Sequence, residues 1–399
     1  MAASSSENDA PSPIEDLPTE ILSQILLRLP NIKSLLRAKL VCKSWFTLIS
    51  SSEFTHVYNL RANNSLLVYP NFDLNSKLSL YAAEVNGNDF SKAEKIQLPP
   101  YLYDELGLIM IVASCNDLLL CIFGSDSTLI LLNPLTRLYH VIPRFDFYDN
   151  FLIYGLGYGV GYDHINDDYK VVIFGSDSWT TANAGVFLYS LRDESWHRIC
   201  YSNNQEISTL SGYFCPTIRM ISGNLKPAVV TNCLLHFVYD CKKIVSFNVC
   251  NENWSEIPAP GVEGYIQDIG VLDGSLSVLE GKDSQDSVSS PGIKLWVMKE
   301  YGVKESWVLL LSVSDLYPIR SSLTSVPLAI SSDKNEILLH LKHNRRTFSY
   351  VWYNLKENNT RKAQIGPLQE YVSIKSTFPV TDMNKFNKKN KVHNVISNI

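Results

Sequence analysis

Phe187-Leu-Tyr-Ser-Leu-Arg-Asp-Glu-Ser-Trp196 reads as an apolar strand, a polar turn and the start of a second strand. Strand-forming residues bounded by turn formers are the signature of a hairpin. The element recurs as Leu131-Leu-Asn-Pro-Leu-Thr-Arg137, Ser246-Phe-Asn-Val-Cys-Asn-Glu-Asn-Trp254, Leu295-Trp-Val-Met-Lys-Glu-Tyr-Gly-Val-Lys-Glu-Ser-Trp307 and Trp352-Tyr-Asn-Leu-Lys-Glu-Asn-Asn-Thr360. Aligning Asn133, Ser190, Asn248, Val297 and Asn354 gives spacings of 49 to 58 residues. One period upstream lies Leu80-Tyr-Ala-Ala-Glu-Val-Asn86, of the same character. The alignment also places Trp196, Trp254 and Trp307 at one repeat position, where packing explains them better than ligand stacking.

Six units of about 55 residues fill the stretch from 61 to 380, and repeated four-strand units of this size suit a β-propeller. The expected fold is therefore a small all-α head followed by an all-β domain, a roughly six-bladed propeller. A rolled β-sandwich is the alternative. Further strands are legible in Leu118-Leu-Leu-Cys-Ile-Phe123, Tyr169-Lys-Val-Val-Ile-Phe174 and Asn335-Glu-Ile-Leu-Leu-His340. Residues 1–13 and the Lys-rich tail 381–399 are polar and expected to be disordered.

The head, 14–60, is different. Leu22, Ile25, Leu26 and Leu29 recur at helical spacing, with Pro18 suited to the first turn and Pro30 as a stop. Asn31 is a candidate cap for a short second helix carrying Ile32, Leu35 and Leu36. A third segment, 37–49, carries Leu40, Val41, Cys42, Trp45, Phe46, Leu48 and Ile49 across roughly 240° of a helix, far more than the 100° or so that one packing face needs. Either this excess packs on the chain's own β body, or a partner protein covers it.

The chain has 399 residues, 45% of them hydrophobic, which is ordinary for a globular protein. Its net charge of −5 argues against a protein that grips nucleic acid by neutralising phosphates. No apolar run reaches the roughly 18 residues a membrane span needs. The N-terminus has neither the basic nor the apolar region of a secretory signal. The expected location is the cytoplasm or nucleus, with all eight cysteines as free thiols.

Two stretches of the chain resemble known families. Leu17-Pro-Thr-Glu-Ile-Leu22, Ile25-Leu26, Leu29-Pro30, Ser34-Leu-Leu36 and Val41-Cys-Lys-Ser-Trp45 together resemble an F-box. Leu132-Asn-Pro-Leu-Thr-Arg137, Gly161-Tyr-Asp163 with Asp168-Tyr-Lys-Val-Val172, Gly270-Val-Leu-Asp-Gly274, and Trp296-Val-Met-Lys-Glu-Tyr-Gly302 with Glu305-Ser-Trp307 resemble the plant F-box-associated domain, of the type in S-locus F-box-like proteins. The paired glycines of kelch blades are lacking. The resemblance implies a non-catalytic substrate receptor of an SCF ubiquitin ligase, without cofactor or metal. Its F-box would bind a SKP-type adaptor, and through it cullin and RING subunits. Its β domain would bind the protein to be ubiquitinated. Position by position, Leu17, Pro18, Ile21, Leu26, Leu29, Pro30, Leu36, Val41, Cys42, Lys43 and Trp45 match the F-box pattern and are the expected adaptor-binding set, with Leu22 and Ile25 assigned to the head's own core. Recognition of S-RNases in self-incompatibility, or a scaffold role outside a ligase, are the alternatives.

Catalytic motifs do not assemble. Gly155-Leu-Gly-Tyr-Gly-Val-Gly161 misses the phosphate-loop spacing and reads as a glycine-rich strand pressed against a neighbouring blade. His340 and His343 have no nearby thiol with which to build a zinc site. Cys233, Cys241 and Cys250 read as small buried apolar residues. Asp163, Asp167 and Asp168 miss the EF-hand spacing and read as turn residues. A propeller hydrolase would need converging carboxylates that no motif supplies. Substrate recognition is expected on loops 145–150, 176–184, 201–213 and 282–292, with Tyr148, Trp179 and Tyr213 as aromatic anchors.

Overall fold

The computed structural model describes residues 17–29, 32–51, 53–54 and 57–58 of the head. In the body it describes 65–72, 78–86, 89–90, 94–96, 109–123 (without 117), 128–144 (without 135 and 137), 157–176, 184–199, 228–281 (without 232 and 240–241), 293–313, 324–342 (without 332), 348–363 and 372–375. The chain divides into two units between Asn64 and Ser65.

The head carries three helices, α1 (Thr19–Leu26), α2 (Ile32–Ala38) and α3 (Lys43–Ser50). Pro18 is the N-cap of α1, and its carbonyl accepts the amides of Ile21 and Leu22 at 3.0 Å each. The single third helix expected over 37–49 is instead two pieces. Cys42 is extended (φ −156°, ψ 170°) and serves as the N-cap of α3, so Leu40 and Val41 lie in a connector. Helix α3 packs on both α1 and α2. Leu22, Leu26, Leu35, Ala38 and Ile49 are buried, as are Phe54 and Tyr58, whose rings stack at 6.4 Å.

The body is all β. Among the described residues it forms five four-stranded blades and a sixth, five-stranded sheet. The sixth sheet holds β1 (Ser65–Phe72), β2 (Leu78–Asn86), β3 (Asp89–Phe90) and β4 (Glu94–Ile96). The blades follow in chain order: β5 (Ile109–Cys115), β6 (Leu118–Phe123), β7 (Thr128–Leu132), β8 (Tyr139–Val141); β9 (Gly157–Asp163), β10 (Asp168–Ser176), β11 (Ala184–Ser190), β12 (Ser195–Ile199); β13 (Ala228–Thr231), β14 (Leu234–Tyr239), β15 (Lys243–Asn248), β16 (Asn253–Ile257); β17 (Tyr265–Leu272), β18 (Ser275–Gly281), β19 (Ile293–Met298), β20 (Trp307–Val313); β21 (Thr324–Ile330), β22 (Glu336–Lys342), β23 (Phe348–Asn354), β24 (Asn359–Lys362). Each blade is an antiparallel meander in sequence order. The last strand, β25 (Val372–Lys375), returns to the sixth sheet and pairs with β1, Ser65 opposite Lys375 and Val68 opposite Val372. The two ends of the body thus share one sheet, whose order is β25-β1-β2-β3.

The repeat seen in the sequence is the third strand of every sheet and the turn that follows it. Asn86, Ser190, Asn248 and Asn354 end β2, β11, β15 and β23, and Asn133 follows β7 directly. Three of these turns share one construction. The Ser190 hydroxyl accepts the Asp193 amide, Asn248 Oδ1 accepts the Cys250 amide and Asn354 Oδ1 accepts the Lys356 and Glu357 amides, all within 2.8–3.0 Å. Four residues on, Glu194, Glu252 and Asn358 take positive φ of 51°, 60° and 52°. A short polar side chain here replaces the turn's missing backbone acceptor. The fourth repeat departs from the alignment. Trp196 faces Tyr189 and Trp254 faces Phe247, but Trp307 faces Met298, so the residue equivalent to Ser190 is Lys299, two beyond Val297. A longer turn with a 3-10 element, Lys304–Ser306, fills the difference.

Strands with continuous apolar runs are those covered on both faces. All six residues of β6 are buried: Leu118, Leu120 and Ile122 face the core shared with β9–β12, while Leu119, Cys121 and Phe123 face the core shared with β1, β2 and β4. The outermost strands β12, β16 and β24 show solvent on one side. Trp196 on β12 and Trp254 on β16 are half-buried, whereas Trp307, at the start of the equally outermost strand β20, is buried. Trp196 Nε1 still donates to the Pro143 carbonyl at 2.7 Å and Trp307 Nε1 to that of Pro258 at 2.8 Å. The glycine-rich strand is β9. A Cβ on Gly159 would come within 2.5 Å of Leu235 Cδ1 in the next blade, so any larger residue there has to push the Leu235 side chain aside.

Candidate functional site

The head buries one side of α1 and leaves the other bare. Ile21 and Ile25, four apart, are 48% and 46% exposed, while the neighbouring stripe of Leu22 and Leu26 is buried. The connector adds Leu40 and Val41, 84% and 64% exposed, and α3 adds Phe46 at 52%. Half of the exposed large apolar side chains among the described residues therefore lie in this small unit. Lys39 Nζ sits 4.6 Å above the Phe46 ring. Thr47 Oγ1 donates to the Lys43 carbonyl and Cys42 Sγ lies 3.0 Å from Ser44 Oγ, which tightens the start of α3.

Placed on this geometry, Pro18, Ile21, Val41 and Lys43 of the expected adaptor set are exposed, and Leu17, Leu29, Cys42 and Trp45 are half-buried. Leu26 is 1% exposed and belongs to the core, because it points to the side of α1 that packs on α3. Ile25, expected in the core, is on the open side instead. Leu40 and Phe46 are exposed residues that the motif reading left out; their apolar character in so short a head was the available signal. Pro30 and the side chain of Leu36 lie outside the described residues.

In the body, Tyr148, Trp179 and Tyr213 lie outside the described residues, as do loops 145–150, 201–213 and 282–292 and all of 176–184 but its two ends. The same holds for the expected disordered segments 1–13 and 381–399, and for His343 and Cys241.

Buried charge in the body is tied into turns and blade contacts. Asp163 is fully buried; its carboxylate accepts the Ile165 and Asn166 amides at 3.0 and 3.1 Å and Asn166 Nδ2 at 2.8 Å, and pairs with Lys170 Nζ at 2.9 Å. Burial pushes this carboxyl up, but the hydrogen bonds from Asn166 and Lys170 outweigh it and hold it below the ordinary carboxylate range. Lys170 also donates to the Val249 carbonyl of the next blade at 2.9 Å. Asp168 accepts Ser190 Oγ at 2.6 Å and the Arg192 amide at 2.8 Å, and burial pushes it up. Asp167 accepts the Tyr162 hydroxyl at 2.6 Å. The three aspartates therefore serve separate partners. Glu280 accepts the Glu263 and Gly264 amides and Trp296 Nε1, and Glu336 is held by Arg361 through two hydrogen bonds of 3.0 and 2.8 Å.

One cluster was missed. His164, Cys233 and Cys250, far apart in sequence, present Nδ1 and two Sγ atoms within 4.8 Å of one another. Burial and the neighbouring Cys233 push the Cys250 thiol up to about 11.

Both the head and the body match known domain families. An F-box associated beta propeller domain matches residues 91–397, and an F-box-like domain matches 14–59. The chain belongs to the F-box associated β-propeller family. It is 29% identical over 374 residues to F-box protein CPR1 of Arabidopsis thaliana, covering 88% of this chain and 84% of that protein. It is 26% identical over 318 residues to an F-box/kelch-repeat protein of the same plant, covering 75% and 80%. The α-helical head is thus an F-box and the all-β body its associated propeller; the match is to the F-box associated type, whereas the kelch label appears only among its relatives.

Proposed function

We propose that this F-box protein is the substrate-recognition subunit of an SCF-type ubiquitin ligase. The observation that carries the reading is a head that matches an F-box and exposes Ile21, Ile25, Leu40, Val41 and Phe46, joined to a propeller. Such apolar surface on so small a unit calls for a protein partner. The head binds a SKP-type adaptor, with Pro18, Ile21, Ile25, Val41 and Phe46 as the contact set and Leu22 and Leu26 as its support. The adaptor brings cullin and RING subunits, and the body holds the protein to be ubiquitinated. The chain contributes proximity rather than bond chemistry: it raises the effective concentration of a substrate lysine at the charged ubiquitin carrier.

The test is capture of a purified SKP-type adaptor by the full chain, followed by a ubiquitin-chain assay with cullin and RING subunits. Ile21→Ala removes a half-exposed side chain whose burial contributes about 1–2 kcal/mol, so capture weakens about tenfold. Ile21→Asp together with Val41→Asp abolishes it while the body keeps its unfolding midpoint. Unchanged capture by the double variant refutes the contact set. Adaptor binding without chain formation on any captured protein refutes the ligase role.

A further inference from the structure

Three turns of two adjacent blades converge on one point. The β9–β10 turn brings His164, the residue before β14 is Cys233, and the β15–β16 turn brings Cys250. His164 is exposed and both cysteines are half-buried, so the cluster opens to solvent.

We propose that His164, Cys233 and Cys250 form a zinc site with an open fourth position, occupied by water. The donor set is one imidazole and two thiols, the combination that selects zinc over the hard cations calcium and magnesium. The spacing fits. With Zn–S near 2.3 Å and Zn–N near 2.05 Å, the S–N edge of a tetrahedron is about 3.6 Å and the S–S edge about 3.8 Å. Cys250 Sγ lies 3.5 Å from His164 Nδ1, already at that edge, and all three donor atoms fall within 4.8 Å, a gap that side-chain rotation closes. The two thiols bind as thiolates, so each ion taken up displaces two protons from sulfur into solvent.

The backbone that carries the donors is fixed in advance. Asp163 holds the His164 turn through the Ile165 and Asn166 amides. Asn248 Oδ1 holds the Cys250 amide at 2.8 Å. The Val249 amide donates to the Cys233 carbonyl at 2.8 Å and ties the two cysteine-bearing turns together. Lys170 Nζ links the blades by contacting Asp163 Oδ2 and the Val249 carbonyl, both at 2.9 Å. A site assembled from rigid turns loses little on binding, since its ordering is already part of the fold.

The experiment uses the full chain, reduced and freed of metal, titrated with Zn²⁺ against a chromophoric chelator, and separately with Co²⁺ as a spectroscopic probe. The expected result is one high-affinity ion per chain and, with Co²⁺, an intense near-ultraviolet thiolate-to-metal charge-transfer band with tetrahedral visible bands. His164→Ala weakens zinc binding tenfold or more, and Cys250→Ser and Cys233→Ser each abolish the high-affinity step and reduce the charge-transfer band. Cys42→Ser in the head leaves both readouts unchanged. His164 is exposed, so its variant keeps the fold and serves where a cysteine variant does not. The proposal is overturned if the wild-type chain takes up no ion, if the charge-transfer band is absent, or if His164→Ala binds as tightly as the wild type.

Discussion

Lys170→Met tests whether blades are held by one buried cation. Lys170 bridges Asp163, fully buried on its own blade, and the Val249 carbonyl of the next. Removing the ammonium strands a carboxylate away from water, for which breaking a buried pair costs about 3–5 kcal/mol. Asp163 keeps three hydrogen bonds from Ile165 and Asn166, which argues for the lower part of that range. The Val249 carbonyl loses a charged donor, adding about 1 kcal/mol or more. Together these place the loss near 4 kcal/mol, read as a lowered midpoint in urea titration of the full chain followed by circular dichroism. Adding Asp163→Asn to Lys170→Met removes the stranded charge, and the double variant recovers at least about 1 kcal/mol over the sum of the singles. The pH dependence follows from the same pair. The Asp163 carboxyl is held below its ordinary value near 4, so the unfolded chain binds more protons there in acid. Its contribution is complete above about pH 4 and fades as the pH falls through the depressed folded value. Asp168, pushed up by burial, acts in the opposite direction, so the profile is taken as the difference between wild type and Asp163→Asn. A Lys170→Met loss under about 1 kcal/mol, or strict additivity in the double variant, refutes the reasoning.

Leu26→Ala leaves a cavity in the head and costs it about 2–5 kcal/mol, seen as loss of the helical signal at lower temperature than in wild type. Trp307→Ala costs about 3–5 kcal/mol, more than Trp196→Ala, because Trp307 is buried and Trp196 only half so; urea midpoints of the two rank them. Gly159→Ala forces Leu235 aside and costs about 1–3 kcal/mol, checked by the same titration. Glu194→Ile places a β-branched residue at φ 51° and costs about 1–2 kcal/mol, whereas Glu194→Gly costs less than that or nothing; a midpoint order with the two reversed is the contrary result.

The repeat was legible because it is local. The end of a third strand, its turn and the start of the following strand fit within ten residues, as in 187–196, and the polar residue that closes the turn stands at one fixed offset, as in Ser190 and Asn248. The head's motif was equally local, but its burial was not. Whether Leu26 or Ile25 faces inward depends on which side of α1 meets α3, and α1 carries apolar residues on both sides. The break at Cys42 escaped helical periodicity because nothing in the residue itself ends a helix, yet its backbone is extended and caps α3. The return of β25 to β1 pairs residues some 300 apart through only four positions, too few for a pattern. His164, Cys233 and Cys250 meet only because successive blades bring their turns to the same place.

The pairing of β25 with β1 also sets an order of events on the ribosome. The F-box is made first and carries its whole helical core within the first 60 residues, while the propeller lacks a strand of its closing sheet until Val372–Lys375 has been made. A message interrupted anywhere between those points yields a chain with an intact F-box and an unfinished propeller. On the proposed function, such a fragment would occupy adaptor without presenting a folded receptor, so a truncating allele would behave as a competitor of its intact relatives rather than as a simple absence.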